Sequence, residues 1–293
     1  MKKLIALLLA APCLALFAQE KDRLKEFTDL EAKLHYQKGE INLQGDLAKL
    51  NVPENFRYLA PADAKIVLTK MWGNPEAGKT LGMVIPAETS PLDQNCWAVV
   101  ITYTEDGYVK DSEADKINYT DLLKDMQKAT AAYNKEREKE GYPPTKLVGW
   151  ATPPRYDKVT HKMYWAKELN FGDSKENTLN YNIRVLGRRG VLVLNAVAAI
   201  SDLKLIEEHA PAIVGMVDFK QGNRYADFDG NTDKVAAYGL AALVAGGIAA
   251  KAGFFKVILI ALLAAKKFVI IGAIALFGFV KKIFGKKEKT GAA

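Results

Sequence analysis

The chain has little of the chemistry on which most catalytic sites depend. Of its 293 residues two are cysteines, Cys13 and Cys96. Cys13 falls inside a short apolar run at the N-terminus that reads as a cleaved leader, so Cys96 alone stays with the body. That count excludes an intramolecular disulfide and a cysteine-rich metal centre. Core packing must stabilise the body, and Cys96, beside Trp97, reads as a buried apolar thiol. The three histidines, His35, His161 and His209, are far apart in sequence and show no metal-ligand spacing. Ser90, Ser112, Ser174 and Ser201 stand in loop or helix-cap contexts, and no G-x-S-x-G is present to make a nucleophile elbow. Glu105-Asp106 and Asp227 with Asp229 read as turn carboxylates, and adding Asp233 does not produce the ligand pattern of a calcium loop. No metal and no cofactor is indicated.

A basic body is missing too. The formal charge is +7, but residues 19–250 hold 30 basic and 33 acidic side chains. A nucleic-acid binder carries its positive charge on the folded domain, so that class is excluded. The surplus sits at the two ends. MKKLIALLLAAPCLALFAQE has two lysines, an apolar run from Leu4 to Phe17 and a small residue, Ala18, before a polar start. This is the pattern of a secretory signal peptide over 1–18. From Val235 to Val280 the chain is almost wholly apolar, broken by Lys251, Lys256, Lys266 and Lys267. Two hydrophobic segments, 235–250 and 254–280, define a membrane region over 234–282, followed by a basic tail at 283–293. The first is rich in Gly and Ala, which let membrane helices approach closely and suit a homo-oligomer. On one continuous helix the lysines share a face, fitting a polar cleft, a headgroup layer or snorkelling to the interface. A cleaved leader puts the body outside the cytoplasm, on the periplasmic side of an inner membrane if the cell is Gram-negative. The lysine-rich tail prefers the cytoplasm, and the bilayer itself is the first expected partner.

The stretch Gly73-Asn-Pro-Glu-Ala-Gly78-Lys79-Thr80 satisfies the P-loop pattern G-x-x-x-x-G-K-[ST]. A working P-loop follows a buried strand and opens a helix whose free amides hold the phosphates. Here the order is reversed. PADAKIVLTKMW has the spacing of an amphipathic helix ending at Gly73, and Leu81, Met83 and Ile85 alternate as a strand. Gly73, Gly78, Lys79 and Thr80 are therefore read as a false match.

The body, 19–233, reads as one α+β domain with an antiparallel sheet and packed helices. Residues 21–38 have Leu24, Phe27, Leu30 and Leu34 at helical spacing. INLQGDLAKLNVP reads as two short strands around a turn, and WAVVITYT as a stronger strand. Thr120 is placed to cap a helix with Leu122, Leu123, Met126, Ala129 and Tyr133 as its apolar stripe. Two hairpins follow, one turning at Asp157 to Thr160 and one at Gly187-Arg-Arg-Gly190. A last short helix is expected near Asp202 to His209.

Two patches suggest recognition. Trp150, Arg155, Tyr156 and Asp157, with Tyr164 and Trp165 across the first hairpin, combine aromatics, a proline step and an arginine, and make either a ligand groove or a core anchor. Asn180, Asn182 and Arg184 share one face of the second hairpin, as a partner surface or as an ordinary exposed sheet face. A binding module for an envelope protein, lipid or glycan is the leading reading. The alternatives are a hydrolase using carboxylates such as Asp157 or Glu168, and an oligomeric membrane assembly.

Long stretches of the body, among them GWATPPRYDKVTHKMYWAKEL, LNYNIRVLGRRGVLVLNAVA, RYADFDGNTDKVAAYGLAALVAGG and DGYVKDSEADKINY, resemble a bacterial family, domain of unknown function 2167. NFRYLAPADA, WGNPEAGKTLGM and WAVVITY extend the likeness over nearly the whole body. The resemblance implies a membrane-anchored envelope protein and carries over no catalytic residue. A wider analogy of fold is to the photosystem-associated PsbP-like α+β domains.

Overall fold

The computed structural model describes residues 25–245, apart from 73–78, 94–95, 140, 142 and 173. The chain divides into two units, Met1–Val244 and Ala245–Ala293, and the described residues belong to the first, Ala245 excepted. The expected leader, the segment 254–280, the basic tail, and Gly73 and Gly78 of the P-loop match lie outside the described residues. Among the described residues no helix is long and apolar enough to cross a membrane.

Eight strands form one antiparallel sheet in the order β1-β4-β5-β6-β10-β9-β8-β7. They are β1 (Tyr36–Gln37), β4 (Phe56–Leu59), β5 (Gly82–Pro86), β6 (Ala98–Thr104), β7 (Thr145–Asp157), β8 (Lys162–Phe171), β9 (Thr178–Leu186) and β10 (Val191–Ala199). A second, three-stranded sheet joins β2 (Gly39–Leu43), β3 (Ala48–Val52) and β11 (Val217–Phe219) in the order β11-β3-β2. The hairpins expected around Gln44-Gly45, Asp157–Thr160 and Gly187–Gly190 all form. Gln44 and Gly45 both take positive φ, 45° and 67°, as a tight turn between right-twisted strands requires.

Register assigns the two faces of the large sheet. On one face Val99, Ile101, Leu192, Leu194, Ala196, Tyr181, Ile183 and Val185 build the main core. Helix α4 (Leu203–Gly215) covers that face with Ile206, Ala210 and Ile213, and the small sheet adds Leu50, Val217 and Phe219. Phe56, Trp97 and His209 meet there edge to face, 5.6–5.7 Å between ring centres, so His209 is a packing residue. On the other face Leu59, Met83, Ile85 and Ala98 pack under helix α2 (Pro61–Lys65), which continues as a π-helical turn over Ile66–Met71.

The local differences from the sequence reading have physical causes. Helix α1, residues 25–31, stops short because Leu34 must join the second core cluster and Tyr36 must pair with Leu59. The cap of α3 (Tyr119–Lys139) is Asn118, not Thr120, since its Oδ1 accepts from the amides of Thr120 and Asp121. Tyr133 is 43% exposed, so the buried stripe of α3 ends at Met126. Beyond it the helix holds the outer strand by polar contacts. Gln127 donates to the carbonyls of Leu147 and Val148, and Asn134 exchanges two hydrogen bonds with Thr145. This covers a sheet edge that would otherwise pair with another chain. Pro153 and Pro154 fit in β7 because it is that edge strand and its register slips between Thr152 and Arg155. Helix α4 is longer than expected and carries Pro211 inside it. The apolar segment expected from 235 begins as extended chain, with Tyr108 and Val235 bridged, and turns helical in α5 (Leu240–Ala245).

Candidate functional site

Register brings Trp165, Asn182 and Asn195 into one row across β8, β9 and β10, with Lys167 beside Asn180 in the next. The face expected to be exposed is buried: Asn182 is 1% exposed, Arg184 7% and Trp165 0%. Arg184 donates to Asn182 Oδ1 (3.2 Å), Asn195 Oδ1 (3.3 Å) and the carbonyl of Ile183, and lies 4.9 Å over the Trp165 ring. Asn182 in turn donates to the carbonyl and side-chain oxygen of Asn180, both at 2.8 Å. No carboxylate among the described residues pairs with Arg184 or Lys167. Burial therefore lowers both, Arg184 to about 10 and, with the Arg184 charge adding repulsion, Lys167 to about 8. Uncompensated burial of a charge costs several kcal/mol, roughly, per ion, so this face is expensive to keep.

The remaining predicted residues go elsewhere. Trp150 donates from Nε1 to the carbonyl of Tyr119, anchoring the start of α3. Asp157 stabilises the β7–β8 turn by accepting from Val159, Thr160 and the Thr160 hydroxyl, and Arg155 is exposed beside that turn. Glu168 accepts from Asn177 and lies six residues along β8 from the strand start opposite Asp157, roughly 20 Å away. Two carboxylates so placed cannot act on one bond, and the geometry gives the hydrolase reading no support. Among the described residues no group of three His, Cys, Asp or Glu is arranged to hold a metal ion.

Tyr156 belongs to a third arrangement. Its hydroxyl donates to Asp111 at 2.7 Å and lies 3.2 Å from His161 Nδ1. The rings of Phe228, Tyr108, Tyr225 and His161 follow one another at 3.9, 4.4 and 4.1 Å, and Tyr225 donates to the carbonyl of Val109. Nearby Asp233, its side chain 2% exposed, accepts from both Arg188 and Arg189. Those arginine bonds, Arg188 first, together with the Asp229 amide, hold its carboxyl down to about 2. Four separate motifs of the sequence are thus bolted together at one end of the sheet. Every polar group named there has a partner inside the protein, so the cluster reads as a clamp on the loops rather than a receptor.

The residues missed by sequence reasoning line a cleft of about 1010 Å³ between the β2–β3 hairpin, α2 with its π-helical turn, the segment Lys79–Leu81 before β5, and the end of β6. Leu68, Leu81 and Tyr103 supply apolar surface over the buried Leu43 and Tyr58, while Lys65, Lys79, Glu105 and Gln44 supply polar groups. Its Leu68 and Thr69 come from the π-helical turn, an irregularity that recurs at functional sites. Burial, with Glu105 adding, raises the Tyr103 hydroxyl to about 12, which keeps it a neutral donor. Lys79 and Thr80 of the P-loop match reach this cleft, but β5 follows them, as the sequence context implied. The Thr80 hydroxyl is engaged with the backbone oxygens of Gly82 and Ile101.

Residues 35–277 match the family model described as Protein of unknown function (DUF2167), and the chain belongs to that family. No curated protein matches it. Among solved structures it is similar to cyanobacterial PsbP (CyanoP) from Synechocystis sp. PCC 6803. That match has 9% identity over 64% of this chain and 92% of the other, with a TM-score of 0.35. It is also similar to LpqN, described as involved in cell envelope biogenesis of Mycobacterium tuberculosis, at 13% identity over 66% and 96% of the two chains, with a TM-score of 0.31.

Proposed function

We propose that this member of the DUF2167 family is a non-catalytic binding module, tethered to a bacterial membrane with its body outside the cytoplasm, and that the cleft beside α2 takes an amphipathic small molecule. The leader-like N-terminus and the apolar stretch from Val235 support the location. The cleft itself carries the reading. Its volume of about 1010 Å³ is at the upper end of the range for small-molecule sites, and leucines and tyrosines alternate in its lining with a few charged groups. An apolar body can cover the half-buried Leu68 and Leu81, and a polar head can reach the exposed Lys79 and Glu105 at the rim. A lipid-like molecule with a polar head satisfies both.

Ala62 lines the cleft on the exposed side of α2, so Ala62→Trp narrows the cleft without entering the core. The full chain, purified from its membrane in mild detergent, is extracted with organic solvent and the extract read by mass spectrometry. Wild type should release a discrete small molecule that the folded A62W chain retains poorly. Equal recovery from both, or none from wild type, contradicts the assignment.

A further inference from the structure

The face around Arg184 has a hydrogen-bond imbalance whose direction can be fixed. Amide side chains can be turned either way in principle, but an arginine only donates. Arg184 therefore fixes the oxygens of Asn182 and Asn195 toward itself. With its oxygen committed, Asn182 presents its NH2 group to Asn180, whose backbone carbonyl can only accept, and the Asn180 side-chain oxygen accepts beside it. All three amide oxygens accept a hydrogen bond inside the cluster. What is left over is donors. Trp165 Nε1 is buried with no acceptor among the described residues. Lys167 pairs with Asn180 across the strands and has no hydrogen-bond or ion-pair partner there. The amide nitrogens of Asn180 and Asn195 face no acceptor among the described residues either.

A patch with two positive charges and several spare N–H groups, its amide oxygens already turned to donors within the cluster, is complementary to an anion. Lys167, partly exposed, gives access to it from solvent, while the buried Arg184 supplies positive potential from the same face of the sheet. The spare donors, on three adjacent strands and one face of the sheet, outnumber the contacts that a two-oxygen carboxylate can accept in its plane and suit an oxyanion with more acceptor oxygens. We propose that the sheet face formed by Trp165, Lys167, Asn180, Asn182, Arg184 and Asn195 binds a phosphate group. None of these residues lines the cleft beside α2, so this site stands or falls independently of that one. The phosphate has two possible sources, a free oxyanion or the headgroup of a phospholipid, and they separate by experiment.

The thermal midpoint of the full chain in mild detergent is followed against inorganic phosphate, against a short-chain phosphatidic acid, and against chloride at matched ionic strength. Wild type should show a saturable rise that chloride does not reproduce. Lys167→Met should weaken the apparent affinity by about tenfold or more, as loss of a charge-assisted contact requires. Asn180→Ala, which leaves both charges in place, should weaken it by a smaller factor and guards against a folding defect in K167M. Saturation by phosphate alone assigns a free oxyanion, and a response to phosphatidic acid without one to phosphate assigns a headgroup. Either supports the site. No rise with phosphate or lipid, a rise matched by chloride, or an undiminished rise in K167M overturns it.

Discussion

Removing the charge of Lys167 should make the protein more stable, and over a definite range of pH. In the fold, burial and then repulsion from Arg184 bring the ammonium from 10.5 to about 8. At 1.36 kcal/mol for each tenfold change in proton affinity, that amounts to about 3 kcal/mol working against folding. The sign follows from proton counts. Between pH 8 and about 10.5 the unfolded chain holds this proton and the folded chain does not, so stability rises with pH across that window. Below pH 8 the whole penalty is present; above about 10.5 it has gone. Methionine keeps the length of the stem and its packing while removing the charge. K167M should therefore exceed wild type by up to about 3 kcal/mol near neutral pH, less whatever solvent already screens at its partly exposed tip, and converge with it toward pH 10.5 or so. Urea unfolding of the full chain in mild detergent, followed by tryptophan fluorescence, reads the difference directly. A K167M chain less stable than wild type at neutral pH, or a gap unchanged with pH, refutes the reasoning.

Gly82 has φ +116°, and a Cβ there would lie 2.6 Å from the carbonyl oxygen of Leu59 and overlap the Tyr58 ring; Gly82→Ala should cost about 3 kcal/mol or more, read as a lowered urea midpoint or loss of folded protein. Asp233→Asn should loosen the clamp between Gly187–Gly190 and the loop before α5. Because the Asp233 carboxyl is held below its ordinary value, its contribution is full above about pH 4 and disappears as pH falls through about 2, so the mutant should differ from wild type at neutral pH and approach it in strong acid. Asn134→Ala removes both hydrogen bonds to Thr145 and should cost about 1 kcal/mol or somewhat more, with faster amide exchange along β7 as the specific readout.

What the sequence made legible was local. The hairpins at Asp157–Thr160 and Gly187–Gly190 announce themselves because turn chemistry and alternation lie within a few residues of each other. The strand after the P-loop match was legible for the same reason, since the alternation of Leu81, Met83 and Ile85 lies directly beside it. Asn118 escaped notice as the α3 cap because Thr120, two residues on, has the same capping chemistry, and only the path of the chain selects between them. Alternation correctly separated Leu179, Tyr181, Ile183 and Val185 from Asn180, Asn182 and Arg184, but it tells which side a residue is on and not whether that side is covered. Lys167 was within reach: pairing the two hairpins places it beside Asn180. The cleft was not, since its lining comes from the β2–β3 hairpin, α2, Lys79–Leu81, Tyr103 and Glu105, and no short-range pattern joins them. Of the aromatics and arginines sought as recognition residues, Trp150 anchors α3 and Tyr156 joins the loop clamp, while Trp165 and Arg184 share the buried face beside Lys167.

The binding reading is tested most directly by placing a photoreactive amino acid at Thr69, inside the cleft, and at Val159, 89% exposed on the β7–β8 turn, in the full chain in its own membrane. Irradiation and intact-mass measurement should show one defined small-molecule adduct at Thr69 and none of that mass at Val159. The same adduct pattern at both positions, or no adduct at Thr69, would contradict a ligand in the cleft.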